Sequence, residues 1–391
     1  MSKKDLISID VKELKTFLNH IIENNRFLQS QNKPVTSVEV IGESGIGKTS
    51  SIVQLAQELN MDFVKLNLAQ IEEIGDLVGF PVKQYEVASE KETTWVDENL
   101  LPEYLKSGYK PTGQKHMSYA APEWISGKTN GGILLLDDWN RADMRFIQAV
   151  MELVDRQQYI SWKLPKDWHI ILTANPDTGD YLVNSIDPAQ KTRFISVNLK
   201  FNIDCWAEWA ENEKMDDRCI NFLLMHPELV NQEVNSRSIS MFFNSISSIN
   251  KFEESLPLIQ MVGEGSVGSE FSSLFTMFIN NKLDKMITPK NVFEKEEKYV
   301  VDTLKGLVKN ESKYRADIAS TLATRIVNYL AVYSKEKTVE KSIVERLASI
   351  VKAEVFTVDI CYNMIKNIYN SNPAQFKIIT LNKDLVKYIL Q

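Results

Sequence analysis

Cysteine is scarce in this chain of 391 residues, and the three present, Cys205, Cys219 and Cys361, are too scattered and odd in number for a disulfide framework or a metal-ligand spacing. A reducing compartment is therefore expected. Histidine is almost as rare, and its four copies, at 20, 116, 169 and 226, share no ligand spacing. No apolar run is long enough for a membrane span or the core of a signal peptide, so neither export nor embedding is expected and the cytoplasm fits best. An excess of positive charge is also missing. The formal net charge of -7 argues against broad non-specific binding to nucleic acid or anionic lipid. With 43% hydrophobic and 25% charged residues, the chain can bury the cores of two or three domains.

Asp10 and Glu13 form the pattern of a capping box, opening an amphipathic helix whose apolar side carries Val11, Leu14, Leu18, Ile21 and Ile22. Five short β-branched runs follow, at Val38 to Ile41, Phe63 to Leu68, Ile133 to Leu136, Ile170 to Thr173 and Phe194 to Leu199. Helical patterns or loops separate them. That alternation predicts an α/β fold with a parallel sheet covered on both faces, and such sheets bind ligands beyond the carboxyl ends of their strands. Beyond Lys200 helical periodicity takes over, as in Ile318, Leu322, Ile326, Tyr329 and Tyr333, with one further strand entertained at Lys377 to Leu381. Met261 to Ser269 and Thr288-Pro-Lys290 are the expected joints within this helical region.

Directly after the first strand come Gly42, Glu43, Ser44, Gly45, Ile46, Gly47, Lys48 and Thr49, a full match to the phosphate-loop pattern, then Ser50 and a helix with Ile52, Leu55 and Leu59. Glycines let consecutive N–H groups turn inward around phosphate oxygens. Lys48 would place its cation on the β and γ phosphates, and Thr49 would offer a hydroxyl to magnesium. Gly131 to Asp138 is a buried strand ending in two carboxylates, the order needed to hold hydrated magnesium and a water beside the γ-phosphate. Asp137 would orient a magnesium ligand, and Asp138 would polarise the attacking water. Thr173-Ala-Asn175-Pro176 closes the fourth strand, and Asn175 would hold the same water or the γ-phosphate.

On these motifs the sequence resembles the MoxR-like and dynein-related AAA+ ATPases of bacterial and phage type, from about Val35 to Ile249. Asp76-Leu-Val-Gly79, Asp137-Asp-Trp-Asn-Arg141-Ala, Asp187-Pro-Ala and Arg193-Phe194 also match, and in the lid so do Trp206-Ala-Glu-Trp209-Ala, His226-Pro-Glu-Leu229 and Asn235-Ser-Arg237. The family usually has glutamate at the position of Asp138; aspartate is shorter by about 1.5 Å, which puts the rate of hydrolysis in question.

The resemblance implies a P-loop NTPase core of three layers with a five-stranded sheet in the order 5-1-4-3-2, an α-helical lid and an α-helical C-terminal region. The expected domains are 1–200, with an insertion at about 81–128, then 201–287 and 288–391. It implies ATP and Mg2+ as cofactors and a homo-oligomeric ring, a hexamer, in which each active site is completed by a neighbour. Arg193 would be the arginine finger and Arg237 the second sensor, with Arg141 and Arg145 as competitors for an interface role. The client would be a protein, with a von Willebrand factor A domain protein suggested by the family's habits.

The aromatic residues of the insertion, Tyr85, Trp95, Tyr104, Tyr109 and Trp124, would either grip a threaded chain or pack the insertion itself. A hairpin is expected from Tyr159 to Trp168, with strand residues around Leu164-Pro-Lys166. The leading function is an ATP-driven remodelling machine. The alternatives are a slowly hydrolysing nucleotide-dependent switch or scaffold, and a nucleic-acid translocase of the McrB-like type, which the acidic balance disfavours.

Overall fold

The Asp10 carboxylate accepts from the amides of Lys12 and Glu13, and Glu13 reaches back to the Asp10 amide, so the capping box forms and opens α1 (Val11–Ser30). Just before it lies a two-residue strand, β1 (Ser8–Ile9). The computed structural model describes residues 6–177, 183, 187–280, 286–310 and 313–389. It divides into two units, 1–200 and 201–391.

In the first unit, β2 (Ser37–Ile41) leads to α2 (Lys48–Glu58) and β3 (Asp62–Asn67), and the short α3 (Ile74–Val78) leads into an inserted sheet of β4 (Pro81–Ala88), β5 (Thr93–Asp97) and β6 (Lys110–Tyr119), with α4 (Leu101–Lys106) between the last two. Then come β7 (Gly132–Asp137), α5 (Met144–Arg156), the two-residue β8 (Gln158–Tyr159) and β9 (Trp162–Lys163), β10 (Trp168–Ala174), α6 (Pro188–Lys191) and β11 (Phe194–Leu199). The main sheet is parallel in the order β1-β11-β2-β10-β7-β3. Its five long strands take the expected order 5-1-4-3-2. The correction is a sixth strand, because the residues before α1 pair along the edge of β11 through Ser8 and Ile9.

Both faces of the sheet are covered, as a wholly parallel sheet requires. Ile133 and Leu135 join one buried cluster with Leu14 and Leu18 of α1 and Ile52 and Leu55 of α2, while Leu134 and Leu136 join the other with Phe146 and Val150 of α5. Gly79 follows α3 with φ +85°, and a Cβ there would lie 1.8 Å from the Ala120 carbonyl oxygen, so only glycine closes the base of the insertion.

Within the insertion the strands run β5-β4-β6, antiparallel. Tyr85 and Tyr109 donate to Glu98 and Glu92, Tyr104 packs on Tyr109, and Trp95 meets the His116 ring at 4.0 Å. Trp124 donates to the carbonyls of Asp76 and Leu77. These aromatics are engaged with their own surroundings. The expected hairpin sits earlier than its sequence suggested: β8 pairs with β9, and Leu164-Pro-Lys166 lies outside the strands. Trp162 explains the shift, since its indole donates to the Val78 carbonyl and draws the return strand into the core.

The second unit is helical, running through α7 (Ile203–Asn212), α8 (Asp217–Met225), α9 (Ser236–Ser245), α10 (Leu256–Asn280), α11 (Pro289–Glu294), α12 (Glu297–Val308), α13 (Ala316–Glu336), α14 (Lys341–Lys352), α15 (Val358–Ser371) and α16 (Pro373–Phe376). Of the expected joints, Met261 to Ser269 lies inside α10, which breaks at Gly268, and Thr288 caps α11. A short hairpin of Lys309–Asn310 with Lys313–Tyr314 interrupts the helices. One buried cluster runs from Trp206 to Tyr388, with Phe222, Phe242, Phe271 and Phe275 packed edge to face at its centre. Lys377–Leu381 is a 3-10 helix and not a strand, as no strand among the described residues pairs with it to complete its hydrogen bonds. Among the described residues no helix is long and apolar enough to cross a membrane.

Candidate functional site

β2 ends at Ile41, and the chain turns through the glycine-bearing loop into α2, whose N-cap is Gly47 at φ +97°. This cap has no side chain. The positive end of α2 therefore stands behind a loop whose backbone can close on an anion. The Lys48 ammonium, 7% exposed, donates to the carbonyls of Gly42 at 2.5 Å and Glu43 at 2.9 Å, and to Asn175 Oδ1 at 3.1 Å.

Asp137 ends β7 beside this loop. Its Oδ1 accepts from Thr49 Oγ1 at 3.0 Å and Thr173 Oγ1 at 2.5 Å, and its Oδ2 pairs with Lys65 Nζ at 2.8 Å. Burial pushes this carboxyl up, but the Lys65 ammonium and the two hydroxyls more than offset that and hold it below the ordinary carboxylate range. A hydroxyl and an ionised carboxylate thus converge at the mouth of the phosphate loop, the hard-oxygen donors that Mg2+ prefers. The residues present fit a magnesium-bound nucleotide.

Asp138 takes a left-handed backbone, φ 52°, tolerable for aspartate, and its amide donates to Thr173 Oγ1. Asn175 joins the two halves of the site: its Oδ1 accepts from Lys48, and its Nδ2 donates to Asp138 Oδ1 at 3.1 Å. Asn140 fixes it in turn, accepting from the Asn175 amide at 3.2 Å and donating to its carbonyl at 2.8 Å. The structure therefore brings together Lys48, Thr49, Asp137, Asp138 and Asn175. Gly42, Glu43, Ser44, Gly45, Ile46 and Gly47 form the connection from β2 to α2, and Ser50 lies in the first turn of that helix.

Arg193 lies elsewhere in the same unit. Arg193 is exposed, its guanidinium 3.4 Å from the Met151 carbonyl, and it precedes β11, whose first residue lies opposite Ser37 at the start of β2. It thus stands at the amino-terminal edge of the sheet, about 17 Å along β2 from its own phosphate loop at roughly 3.3 Å per residue. Arg237 is exposed in the first turn of α9, in the helical unit. Arg141 approaches Asp138 of its own site at 4.0 Å, while Arg145 pairs with Asp143. Lys65 was not foreshadowed by any motif; a lone lysine in a strand otherwise rich in apolar residues was its one signal. Thr173 and Asn140 lie within recognisable motifs, but their roles depend on contacts across the sheet.

A parallel sheet with these residues at its carboxyl edge, flanked by helices and followed by a helical region, defines a P-loop nucleotide-binding protein of the AAA fold. Residues 37–194 match the AAA domain of the dynein-related subfamily. No curated protein sequence matches the chain. Similar solved structures include a variant of RuvB from Thermotoga maritima, 13% identical over 76% of this chain and 83% of that one, with a TM-score of 0.37. The RuvB Holliday junction branch migration motor of the same organism is 14% identical over 75% and 81%, with a TM-score of 0.36. A candidate ATPase of Cytophaga hutchinsonii is 12% identical over 91% and 88%, with a TM-score of 0.33.

Proposed function

We propose that this protein is a magnesium-dependent ATPase that works as a MoxR-like hexameric ring, in which hydrolysis remodels or assembles a protein client. AAA domains hydrolyse ATP as a class, so the general chemistry follows from the domain. The observation that carries the reading is the bridge through Asn175, which joins the phosphate-directed Lys48 to the water-directed Asp138.

In this reading the backbone of 42–47 and Lys48 bind the phosphates, while Thr49 and Asp137 hold magnesium, which supplies charge neutralisation on the transferring phosphoryl group. Asp138 accepts the proton of the attacking water, and Asn175 orients that water. Arg193, at the opposite edge of the sheet, serves the site of an adjacent subunit, where a guanidinium is worth about 10³ to 10⁵ in rate in other systems. Arg237 acts as the second sensor on the γ-phosphate. Residues 201–287 serve as the lid, and 288–391 as a helical C-terminal domain. A client bearing a von Willebrand factor A domain suits the MoxR-like assignment, and the net charge of -7 weighs against nucleic acid.

The test is ATP turnover with subunit mixing. Lys48→Ala should abolish binding of ATP, and Arg193→Ala should retain binding and lose turnover. Mixing Arg193→Ala with Asp138→Ala chains should restore part of the activity. No recovery in mixed assemblies would overturn the trans assignment.

A second reading, a nucleotide-dependent switch with slow hydrolysis, is favoured by the identity of Asp138 and its tie to the Asn175 amide, which holds the shorter carboxylate back. Asp138→Glu separates the two. A rise of ten-fold or more in turnover supports the switch, and a fall supports a machine tuned to aspartate.

A further inference from the structure

The central strand β2 carries a carboxylate that the chemistry above does not use. Glu39 lies between Val38 and Val40, is 4% exposed, and sits where an apolar residue would be cheaper to bury. Its two oxygens are divided. Oε1 accepts from the indole of Trp139 at 2.9 Å, and Oε2 accepts from the hydroxyl of Ser196 at 2.6 Å. Burial pushes the carboxyl up, with Ser196, Trp139 and the more distant Lys191 opposing it.

Ser196 lies mid-strand, directly opposite Glu39 in the register of β2 with β11, whereas Trp139 comes from the carboxyl edge of the sheet and reaches toward the amino edge through its ring. Trp139 directly follows Asp138, at the carboxyl edge, and its fully buried ring packs edge-on against Phe194 at 5.5 Å. Phe194 directly follows Arg193, at the amino edge, and Ser196 lies two residues further along the same strand. The indole, pinned by its N–H to Glu39 and packed on the Phe194 ring, connects the turn bearing Asp138 to the strand start bearing Arg193. Valine at position 39 would leave the ring packed but free to slide.

We propose that the Glu39 carboxylate, holding Trp139 and Ser196 together, is a positioning residue that couples a subunit's own phosphate site to the arginine it presents to its neighbour. This rests on the trans role of Arg193 proposed above. Displacement of the turn at Asp138 is transmitted through the indole to Phe194, and the buried carboxylate keeps that transmission stiff.

Amide hydrogen exchange of the full chain, read by mass spectrometry, tests the link without requiring turnover. Glu39→Val should speed exchange by about five-fold or more both in the turn after Asp138, where the Arg141 and Ala142 amides bond to Asp138 and Trp139 carbonyls, and along 194–198. Glu39→Gln, which retains an acceptor for the indole and a polar partner for Ser196, should leave both near wild type. Should Glu39→Val not fold, Trp139→Phe keeps a smaller aromatic ring, removes the N–H donor and should give the same paired increase. Exchange rising in one stretch alone, or in neither, overturns the coupling.

In steady state Glu39→Val should lower kcat by about ten-fold or more with KM within about two-fold, and Glu39→Gln should recover at least half of the loss. Wild-type turnover in Glu39→Val would also overturn it. A wild-type chain without any turnover defeats the ATPase reading instead, and the exchange pattern still decides whether the link exists.

Discussion

Removing Lys65 should make the protein less demanding of magnesium. The Lys65 ammonium lies 2.8 Å from Asp137 Oδ2, with side-chain exposures of 42% and 10%. Coulomb's law puts unit charges at that distance at about 1.5 kcal/mol in bulk water and about 6 kcal/mol at an effective dielectric of 20. The exposure of the ammonium and the entropy of ordering a lysine pull the net value down, so about 1 to 2 kcal/mol is expected. A metal using the same carboxylate competes with this pair. At about 1.4 kcal/mol per factor of ten, Lys65→Met should lower the half-saturating magnesium concentration by about five- to thirty-fold. The assay is a magnesium titration at fixed fluorescent ATP analogue at pH 8, where Asp137 stays ionised in both proteins, with Lys65→Arg as the charge-preserving control. An unchanged or higher magnesium requirement in Lys65→Met would refute the competition and place Lys65 among the phosphate-binding groups instead.

Arg325, 2% exposed on α13, pairs with Glu211 and Asp217 and donates to Asn221, tying α13 to α7 and α8. Arg325→Met should destabilise the helical unit by about 3 to 5 kcal/mol, since it strands a buried carboxylate. At about 2 to 4 °C per kcal/mol, calorimetry should show a transition lowered by about 6 to 20 °C, and a shift below about 2 °C would contradict the assignment.

His169 is buried and neutral, its Nε2 donating to Asp167 at 2.9 Å and Nδ1 facing the Asn25 amide at 3.4 Å. Burial, and then the charge of Arg26, depress its pKa against the opposing pull of Asp167. A depressed histidine contributes stability that is complete above the unfolded value of about 6.5 and is lost as the pH falls through the folded value, at most about 1.4 kcal/mol per pH unit. His169→Gln should therefore flatten the fall in melting temperature between pH 7 and 5.5. Parallel slopes for the two proteins would refute this.

Much of the first unit is legible in the linear chain because its signals are local. A strand of apolar residues, a loop with glycine where φ is positive and a helix with apolar spacing occupy adjacent stretches around Gly47 and Lys48, so no distant contact is needed to recognise them. The same holds for Gly132 to Asp137, a buried strand that ends in acids. Where the structure departs from expectation, partners decided the outcome. Trp162 finds the Val78 carbonyl and draws the hairpin forward, Lys377 to Leu381 finds no strand to pair with among the described residues, and Ser8 and Ile9 find a free edge.

By itself, the order of residues determined which groups bear the chemistry: a loop shaped for phosphates, a lysine, a threonine, two aspartates and an asparagine, each marked by neighbours in sequence. Tertiary structure alone decided how they are held. Glu39 meets Trp139 across 100 positions and Ser196 across 157, and Lys65 reaches Asp137 from a neighbouring strand. Such contacts join backbone stretches that come together only when the strands pair, so no local spacing encodes them. The same pairing sets Arg193 at the edge opposite its own phosphate loop, a placement fixed by strand direction and not by any feature of the residues around it.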